Sequence, residues 1–265
     1  MGRLAERFAL LRERGEKALM PFVTPGDPDL STTEALVLAM AESGADVVEI
    51  SIPFSDPIAD GPTIQRSSQR ALAGGVTLRR ILDLVKRLRP RVEIPLVLMG
   101  YANPIYAMGE EPFAAAARDV GVDGVIVPDL PPEEGAALYA ACRQAGVDPV
   151  LLAAPTTSPE RLAFLAGETR GFLYYVSLTG VTGARRELAA GVEDGVRAAQ
   201  KLGDVPVCVG FGISTAEHAA AVGAYADGIV VGSAIVDLVE KATSRDEAVE
   251  TVAKFVAELK APLRG

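Results

Sequence analysis

Short runs of nearly uniform apolar character alternate along this chain with longer stretches whose apolar positions recur every three or four residues. The short runs fall near 18–24, 46–51, 94–99, 124–127, 149–153, 171–176, 205–209 and 227–231, and each gives way to a Gly-, Pro- or Asp-rich turn. Apolar positions on both faces, without a two-residue alternation, are the mark of parallel strands covered by helices. Between them the longer period predicts helices over 31–43, 63–73, 78–88, 111–119, 133–145, 159–166, 191–202 and 214–222. Three segments echo one another: Gly44-Ala45-Asp46-Val47-Val48-Glu49-Ile50, Gly121-Val122-Asp123-Gly124-Val125-Ile126-Val127 and Tyr225-Ala226-Asp227-Gly228-Ile229-Val230-Val231. Each leaves a helix through a turn and enters a strand through an aspartate, which implies equivalent β/α units. Eight such units in 265 residues favour a sheet closed on itself over an open doubly wound one. The expected fold is of the α/β class: a single (β/α)8 TIM barrel with extra flanking helices at 2–14 and 246–259. No linker or low-complexity stretch divides the chain, so residues 1–265 read as one domain.

Composition narrows this further. Hydrophobic residues make up 49% and charged residues 23%, a globular balance. A chain of this size buries roughly 75% of its unfolded surface. No run approaches the roughly 20 apolar residues of a membrane span. The start, Met1-Gly2-Arg3-Leu4-Ala5-Glu6-Arg7, reads as a helix and not a signal peptide, so a cytoplasmic protein is expected. The net charge of −9 argues against a nucleic-acid surface. It leaves room for a small phosphate, which backbone N–H groups at helix N-termini can hold without many cations. Cys142 and Cys208 lie in apolar or helical contexts and are expected as buried thiols. The single histidine, His218, lies in an Ala-rich helical run and reads as structural or exposed.

In a closed parallel barrel, chemistry gathers at the C-terminal strand ends, and phosphate often binds the loops after strands seven and eight. Strand six runs into Gly180-Val181-Thr182-Gly183, strand seven into Gly210-Phe211-Gly212-Ile213-Ser214, and strand eight into Gly232-Ser233-Ala234-Ile235 and directly a helix. Singly, each glycine could serve only a tight turn. Together they form a candidate anion cradle, since glycine admits close backbone approach and the helix after Gly232 aims free N–H groups at the same place.

Glu49 sits near the end of strand two, inside Val47-Val48-Glu49-Ile50. A carboxylate in an apolar strand is costly unless paired or functional. Facing a pocket, desolvation raises its pKa and suits it to acid/base work; the alternative is a buried ion pair with an arginine. Asp60, in the loop directly after it, is either a turn or cap residue or a second carboxylate reaching the same pocket. Asp56 is a weaker candidate. None of the lysines, Lys17, Lys86, Lys201, Lys241, Lys254 and Lys260, lies at the carboxyl end of a predicted strand, where a Schiff base would be needed. One histidine cannot build a usual His-based zinc site, and no Walker-type loop is present. Carboxylate acid/base catalysis remains.

The segment Glu49-Ile50-Ser51-Ile52-Pro53-Phe54-Ser55-Asp56-Pro57-Ile58-Ala59-Asp60-Gly61-Pro62-Thr63-Ile64-Gln65 closely resembles the signature of the tryptophan synthase alpha subunit family. Phe22-Val23-Thr24-Pro25-Gly26-Asp27-Pro28, Met99-Gly100-Tyr101-Ala102-Asn103-Pro104, Pro128-Asp129-Leu130-Pro131, Ser177 with Gly180-Val181-Thr182-Gly183, and Gly210-Phe211-Gly212-Ile213-Ser214 match in family order across nearly the whole chain. The resemblance implies a retro-aldol cleavage of indole-3-glycerol phosphate to indole and glyceraldehyde 3-phosphate. By the same resemblance Glu49 is the general acid/base, Asp60 holds the indole N–H, and Tyr174 is the active-site tyrosine. Phe22, Ile64, Tyr101, Leu130, Thr182 and Phe211 are substrate-binding positions, and Gly183, Gly212, Gly232 and Ser233 bind phosphate. It also implies a beta-subunit partner in an αββα heterotetramer, with pyridoxal phosphate held by the beta subunit and no cofactor in this chain. Ser51 stands where the family usually has glycine, and Leu178 where some members carry arginine. Loops 53–60 and 178–190 are expected to act as lids.

Two other readings share parts of this pattern: another phosphate-binding barrel isomerase or synthase of amino-acid biosynthesis, or a non-catalytic barrel that activates a partner enzyme. The first places its catalytic Asp or Lys on other strand ends; the second has no use for both Glu49 and Asp60.

Overall fold

The computed structural model describes residues 2–176, 191–210 and 212–265. Eight strands, β1 (Ala18–Val23), β2 (Val48–Ile52), β3 (Leu96–Gly100), β4 (Gly124–Ile126), β5 (Asp148–Ala153), β6 (Leu173–Val176), β7 (Val207–Gly210) and β8 (Gly228–Val231), pair in sequence order, and β8 returns to β1 to close the barrel. Every pairing is parallel. The expected fold class is therefore the observed one. The described helices are α1 (Arg3–Arg14), α2 (Leu30–Glu42), α3 (Pro62–Ala73), α4 (Leu78–Leu88), α5 (Ala102–Met108), α6 (Glu110–Val120), α7 (Ala136–Ala145), α8 (Pro159–Glu168), α9 (Val192–Gln200), α10 (Ala216–Gly223), α11 (Ser233–Lys241) and α12 (Arg245–Lys260). None of the described helices is long and apolar enough to cross a membrane.

The strands' uniform apolarity resolves into two separate cores. Alternate residues of each strand point to opposite faces. One set, including Val23, Val48, Ile50, Ile52, Leu96 and Leu98, packs under the helices. The other fills the barrel: Met20, Phe22, Val97, Met99, Ile126, Val150, Phe172, Tyr174, Cys208 and Val230. Leu4, Phe8 and Leu11 of α1 belong to this inner cluster, with the Phe8 and Phe172 ring centroids 5.9 Å apart. The first flanking helix thus stops the N-terminal end of the barrel and leaves the C-terminal end open. Both cysteines are buried free thiols.

The echoing aspartates share a structural task. Asp46 Oδ2 accepts the N–H of Leu19 at 2.8 Å, Asp123 Oδ2 that of Leu96 at 2.9 Å, and Asp227 Oδ2 that of Val207 at 2.9 Å. Each one, at the foot of an even-numbered strand, takes an N–H at the start of the odd-numbered strand before it. Thr169 does the same between β5 and β6, its Oγ1 accepting the Leu151 N–H at 3.0 Å. The barrel is four repeats of a two-strand unit, each fastened at its base by one side chain. Each of these side chains has a further partner: Lys260 for Asp46 at 2.9 Å, Arg89 for Asp123 at 3.0 Å, Gln200 for Asp227 at 3.1 Å, and for Thr169 the Phe172 carbonyl, to which its hydroxyl donates at 2.8 Å. Lys260, buried at the end of α12, also donates to the Lys17 carbonyl at 3.0 Å and so ties the second flanking helix to the barrel.

Sequence and structure differ locally. Helix α7 begins at Ala136, not 133, because residues 131–135 form turns closed by the Gly135 N–H to the Pro131 carbonyl at 2.9 Å. Helix α5 was not expected. Its N-cap, Tyr101, supplies no capping side chain; instead Asp129 Oδ1, 27 residues on, accepts the Ala102 N–H at 2.9 Å.

Candidate active site

The open end of the barrel receives side chains from β1, β2, β3 and the loop between β2 and α3. Phe22, Ser51, Ile52, Asp60, Ile64, Ser68, Met99, Gly100, Tyr101 and Pro128 line a cavity there. Glu49 lies on the same face of β2 as Ser51, two residues deeper, in register with Phe22 on one side and Val97 on the other. It is 3% exposed. No hydrogen bond or ion pair to an arginine is made by its carboxyl among the described residues, so the structural alternative for Glu49 has no partner to support it. Burial, and then the charge of Asp60, push its pKa up to about 8.

Asp60 is half-buried at the end of the loop that follows β2. Its carboxyl accepts a hydrogen bond from the Tyr101 hydroxyl at 3.0 Å, and that hydroxyl accepts the Ala59 N–H at 3.0 Å. Gln65 donates to the Asp60 carbonyl at 2.9 Å. The carboxylate is therefore oriented by a residue 41 positions away and is not spent as the cap of α3, whose N-cap is Gly61 with no side-chain bond. Burial raises its pKa to about 6 and the Tyr101 hydrogen bond holds it from rising further. Tyr101 is fixed in turn by the Phe54 ring, 5.4 Å away between centroids.

Tyr174, on β6 across the barrel, is buried. Its pKa is raised well above the ordinary value, by burial first and then by the charges of Glu49 and Asp60. Gly210 of β7 is glycine for a reason of space: a Cβ there would collide with the Tyr174 hydroxyl.

Beside the cavity, Gly232 is the N-cap of α11 and no side chain caps that helix. The first N–H groups of a helix lack intrahelical partners, and with the dipole they make an anion seat. A Cβ on Gly232 would lie 3.7 Å from Phe22, so this seat adjoins the cavity wall. Ser233 is the first residue of α11 and is exposed. Gly212 has φ +82°, a left-handed conformation that favours glycine, and a Cβ there would meet nothing within 4 Å. Helices α3 and α11 are clamped together: Glu240 accepts from Arg70 at 2.7 Å and from Arg66 at 2.8 Å, and Arg70 reaches Asp27 at 2.7 Å. The loop carrying Asp60 and the helix offering the anion seat are thus held as one unit.

Of the sequence-predicted residues, Asp60, Phe22, Ile64 and Tyr101 line the cavity. Glu49 lies beneath it, two residues below the lining Ser51 on the same face of β2 and within the field of Asp60, and Gly232 adjoins Phe22 of its wall. Leu130 is buried in the helix-facing core, its carbonyl accepting the Tyr139 hydroxyl at 2.7 Å, and it does not line the cavity. Asp56 is exposed and bonded to Ser55 at 2.6 Å. Thr182, Gly183 and Phe211, and the loop 178–190, lie outside the described residues. Sequence reasoning did not name Ser51, Ile52, Ser68, Met99, Gly100 and Pro128 as lining residues; the two-residue period of β2 and β3 from Glu49 and Tyr101 points to Ser51 and Met99.

A closed parallel barrel with two carboxylates toward its C-terminal end, beside the N-terminus of α11, has the layout of the barrel enzymes, whose chemistry gathers at that end. Comparison with known proteins narrows the class. A family model described as tryptophan synthase alpha chain matches residues 8–264. The tryptophan synthase alpha chain of Geobacter sulfurreducens is 55% identical over 98% of this chain and 98% of its own. Tryptophan synthase subunit alpha of Legionella pneumophila superposes with a TM-score of 0.91 at 35% identity, covering 99% of this chain and 98% of that one. A structure of Mycobacterium tuberculosis tryptophan synthase gives a TM-score of 0.91 at 35% identity, covering 100% and 99%. The chain belongs to the tryptophan synthase alpha chain family, and is a carbon–carbon lyase of tryptophan biosynthesis that cleaves indole-3-glycerol phosphate to indole and glyceraldehyde 3-phosphate. Membership also implies a beta-subunit partner.

Proposed function

We propose that Glu49 makes both proton transfers of this cleavage while Asp60 holds the indole ring and the α11 N-terminus holds the phosphate. The observation that carries the reading is the separation of the two carboxylates, one raised to about 8 and the other to about 6. At neutral pH Glu49 is chiefly the acid and Asp60 chiefly the carboxylate, and pairs pushed apart in this way divide acid and base roles.

Glu49 donates its proton to indole C3, which places a positive charge on the ring nitrogen. Asp60 accepts the indole N–H and stabilises that charge, its other oxygen held by Tyr101. The Glu49 carboxylate then takes the proton of the hydroxyl on the carbon attached to C3. The C–C bond breaks, its electron pair returns to the ring, and indole and glyceraldehyde 3-phosphate separate. Glu49 ends protonated, as it began. Tyr174, within the field of both carboxylates, is the third catalytic residue. Phe22, Ile64 and Tyr101 wall the ring. Gly212, Gly232 and Ser233 hold the phosphate through backbone donors, which suits a chain of net charge −9. On the resemblance alone, Leu130, Thr182 and Phe211 contact substrate and Gly183 joins the phosphate cradle.

The chain acts as one catalytic domain, 1–265, in the cytoplasm. It joins a beta subunit in an αββα heterotetramer, in which the beta subunit carries pyridoxal phosphate and receives the indole. The loop bearing Asp60 supports the docking reading, since it displays Ile58 with 76% of its surface exposed. An indole-release assay on indole-3-glycerol phosphate, run with the chain alone and after mixing with a beta subunit, tests this. Release by the chain alone, raised on mixing, is expected. Absence of indole in both states overturns the reaction, and unchanged release with no co-elution overturns the partnership.

A further inference from the structure

Ser51 shares a strand face with Glu49 and a cavity with Asp60, and has no part in the scheme above. It is on β2, two residues beyond Glu49 on the same face, in register with Met99, and lines the same cavity as Asp60. Its residue exposure is 6%, and its Oγ, buried from solvent, has no hydrogen-bond partner among the described residues. A buried hydroxyl without a partner is a rare and costly feature. Two other buried hydroxyls nearby have partners: Thr24 Oγ1 and Ser67 Oγ bond each other at 2.9 Å, and Ser67 also donates to the Ile64 carbonyl at 2.9 Å. Alanine or glycine at position 51 would line the same wall without an orphan group.

We infer that Ser51 is a substrate-contacting residue, its hydroxyl completing a hydrogen bond with a hydroxyl of the glycerol chain of the bound substrate. This rests on the reading of the site given above. The ring N–H is a donor only and has Asp60; the phosphate has the α11 N-terminus. The glycerol hydroxyls are the substrate groups that, like Ser51, both donate and accept. They flank the bond on which Glu49 acts, and Glu49 is the next inward-facing residue along β2, about 7 Å from Ser51 at the strand's rise per residue. Ser51 therefore positions the leaving aldehyde half, not the indole half.

The condensation direction, indole with glyceraldehyde 3-phosphate, separates the two halves. In Ser51→Ala and Ser51→Gly of the full chain, the KM for glyceraldehyde 3-phosphate is expected to rise about five- to tenfold, the size of one lost hydrogen bond. The KM for indole should stay within about twofold, and thermal stability should be unchanged or higher, because an unpartnered hydroxyl has been removed. Ser51→Cys, close in volume but a weak hydrogen-bonder, should follow Ser51→Ala. An unaltered aldehyde KM in the alanine and glycine variants overturns the inference, as does a lowered melting temperature that accounts for the change. Glu49→Gln assayed alongside keeps the two readings apart. If it retains turnover, the reading of the site fails. If it is inactive while the Ser51 variants behave as wild type, only the role of Ser51 fails.

Discussion

Tyr101→Phe removes one oxygen and tests how Asp60 is tuned. The phenylalanine ring keeps the packing against Phe54, at 5.4 Å between centroids in the native pair. What is lost is the hydroxyl that donates to Asp60 at 3.0 Å and accepts the Ala59 N–H at 3.0 Å. That donation favours the charged carboxylate, so its loss raises the Asp60 pKa. A hydrogen bond to a charged group contributes about 1.5–3 kcal/mol, and about 1.4 kcal/mol corresponds to one pKa unit. Asp60 is half-buried, and water will replace part of the lost bond, so the lower end applies: about one unit. From about 6 in the native protein, Asp60 would move to about 7. The ionised fraction then falls by about twofold at pH 7 and about fivefold at pH 6, and is nearly unchanged at pH 8. The assay is kcat/KM for indole release against pH, which reports the ionisations of the free enzyme. The native profile should be a bell, with an acid limb near 6 from Asp60 and an alkaline limb near 8 from Glu49. As the two carboxylates interact, these are apparent values of the pair. In the variant the acid limb moves up and the bell narrows. An acid limb that stays in place, with activity lowered equally at every pH, would refute the proposed tuning.

Other outcomes follow from the same structure. Lys260→Met removes the buried cation bonded to Asp46 at 2.9 Å and leaves that carboxylate only the Leu19 N–H and the more distant Arg7, at 3.9 Å, so it should destabilise the fold by about 3 kcal/mol. Thermal denaturation should then show a melting temperature lower by about 10 °C for a chain of this size, and a shift under about 2 °C would contradict it. Gly212→Asp sets a carboxylate on a left-handed backbone at the phosphate seat. Calorimetric titration with glycerol 3-phosphate should show affinity reduced by at least about tenfold, or about 1.4 kcal/mol, and an equal affinity would count against Gly212 as a phosphate contact.

Most of the barrel was legible because strands buried on both faces leave uninterrupted apolar runs, and eight of them in order leave little choice of topology. What the pattern could not reveal were bonds between distant segments. Asp46, Asp123 and Asp227 were visible as an echo, but their task, receiving an N–H from the preceding strand, needs the closed ladder; Thr169 performs it without looking like the other three. Helix α5 was missed because it is only 7 residues long, carries Asn103 and Pro104 in its first turn, and takes its capping group, Asp129, from the next loop. At the site, Glu49 was conspicuous as a carboxylate inside an apolar strand. Asp60 was ambiguous by sequence, since an Asp before Gly-Pro is an ordinary turn, and it is the Tyr101 hydroxyl that sets it apart. Ser51 was visible only as a departure from the family's usual glycine, because a small residue in a strand says nothing about whether its hydroxyl has a partner.

The central claim is that one buried carboxyl, Glu49, carries both proton transfers. Glu49→Gln keeps the shape and removes the acid, and its measurement is paired: indole release from indole-3-glycerol phosphate in a single turnover, and affinity for glycerol 3-phosphate by calorimetry. The account predicts release slowed by about two to four orders of magnitude, the contribution of a positioned acid/base, with affinity for the phosphate ligand within about threefold of the native chain, about 0.7 kcal/mol. Release within about tenfold of native, at undiminished affinity, would contradict it, because a glutamine cannot shuttle a proton.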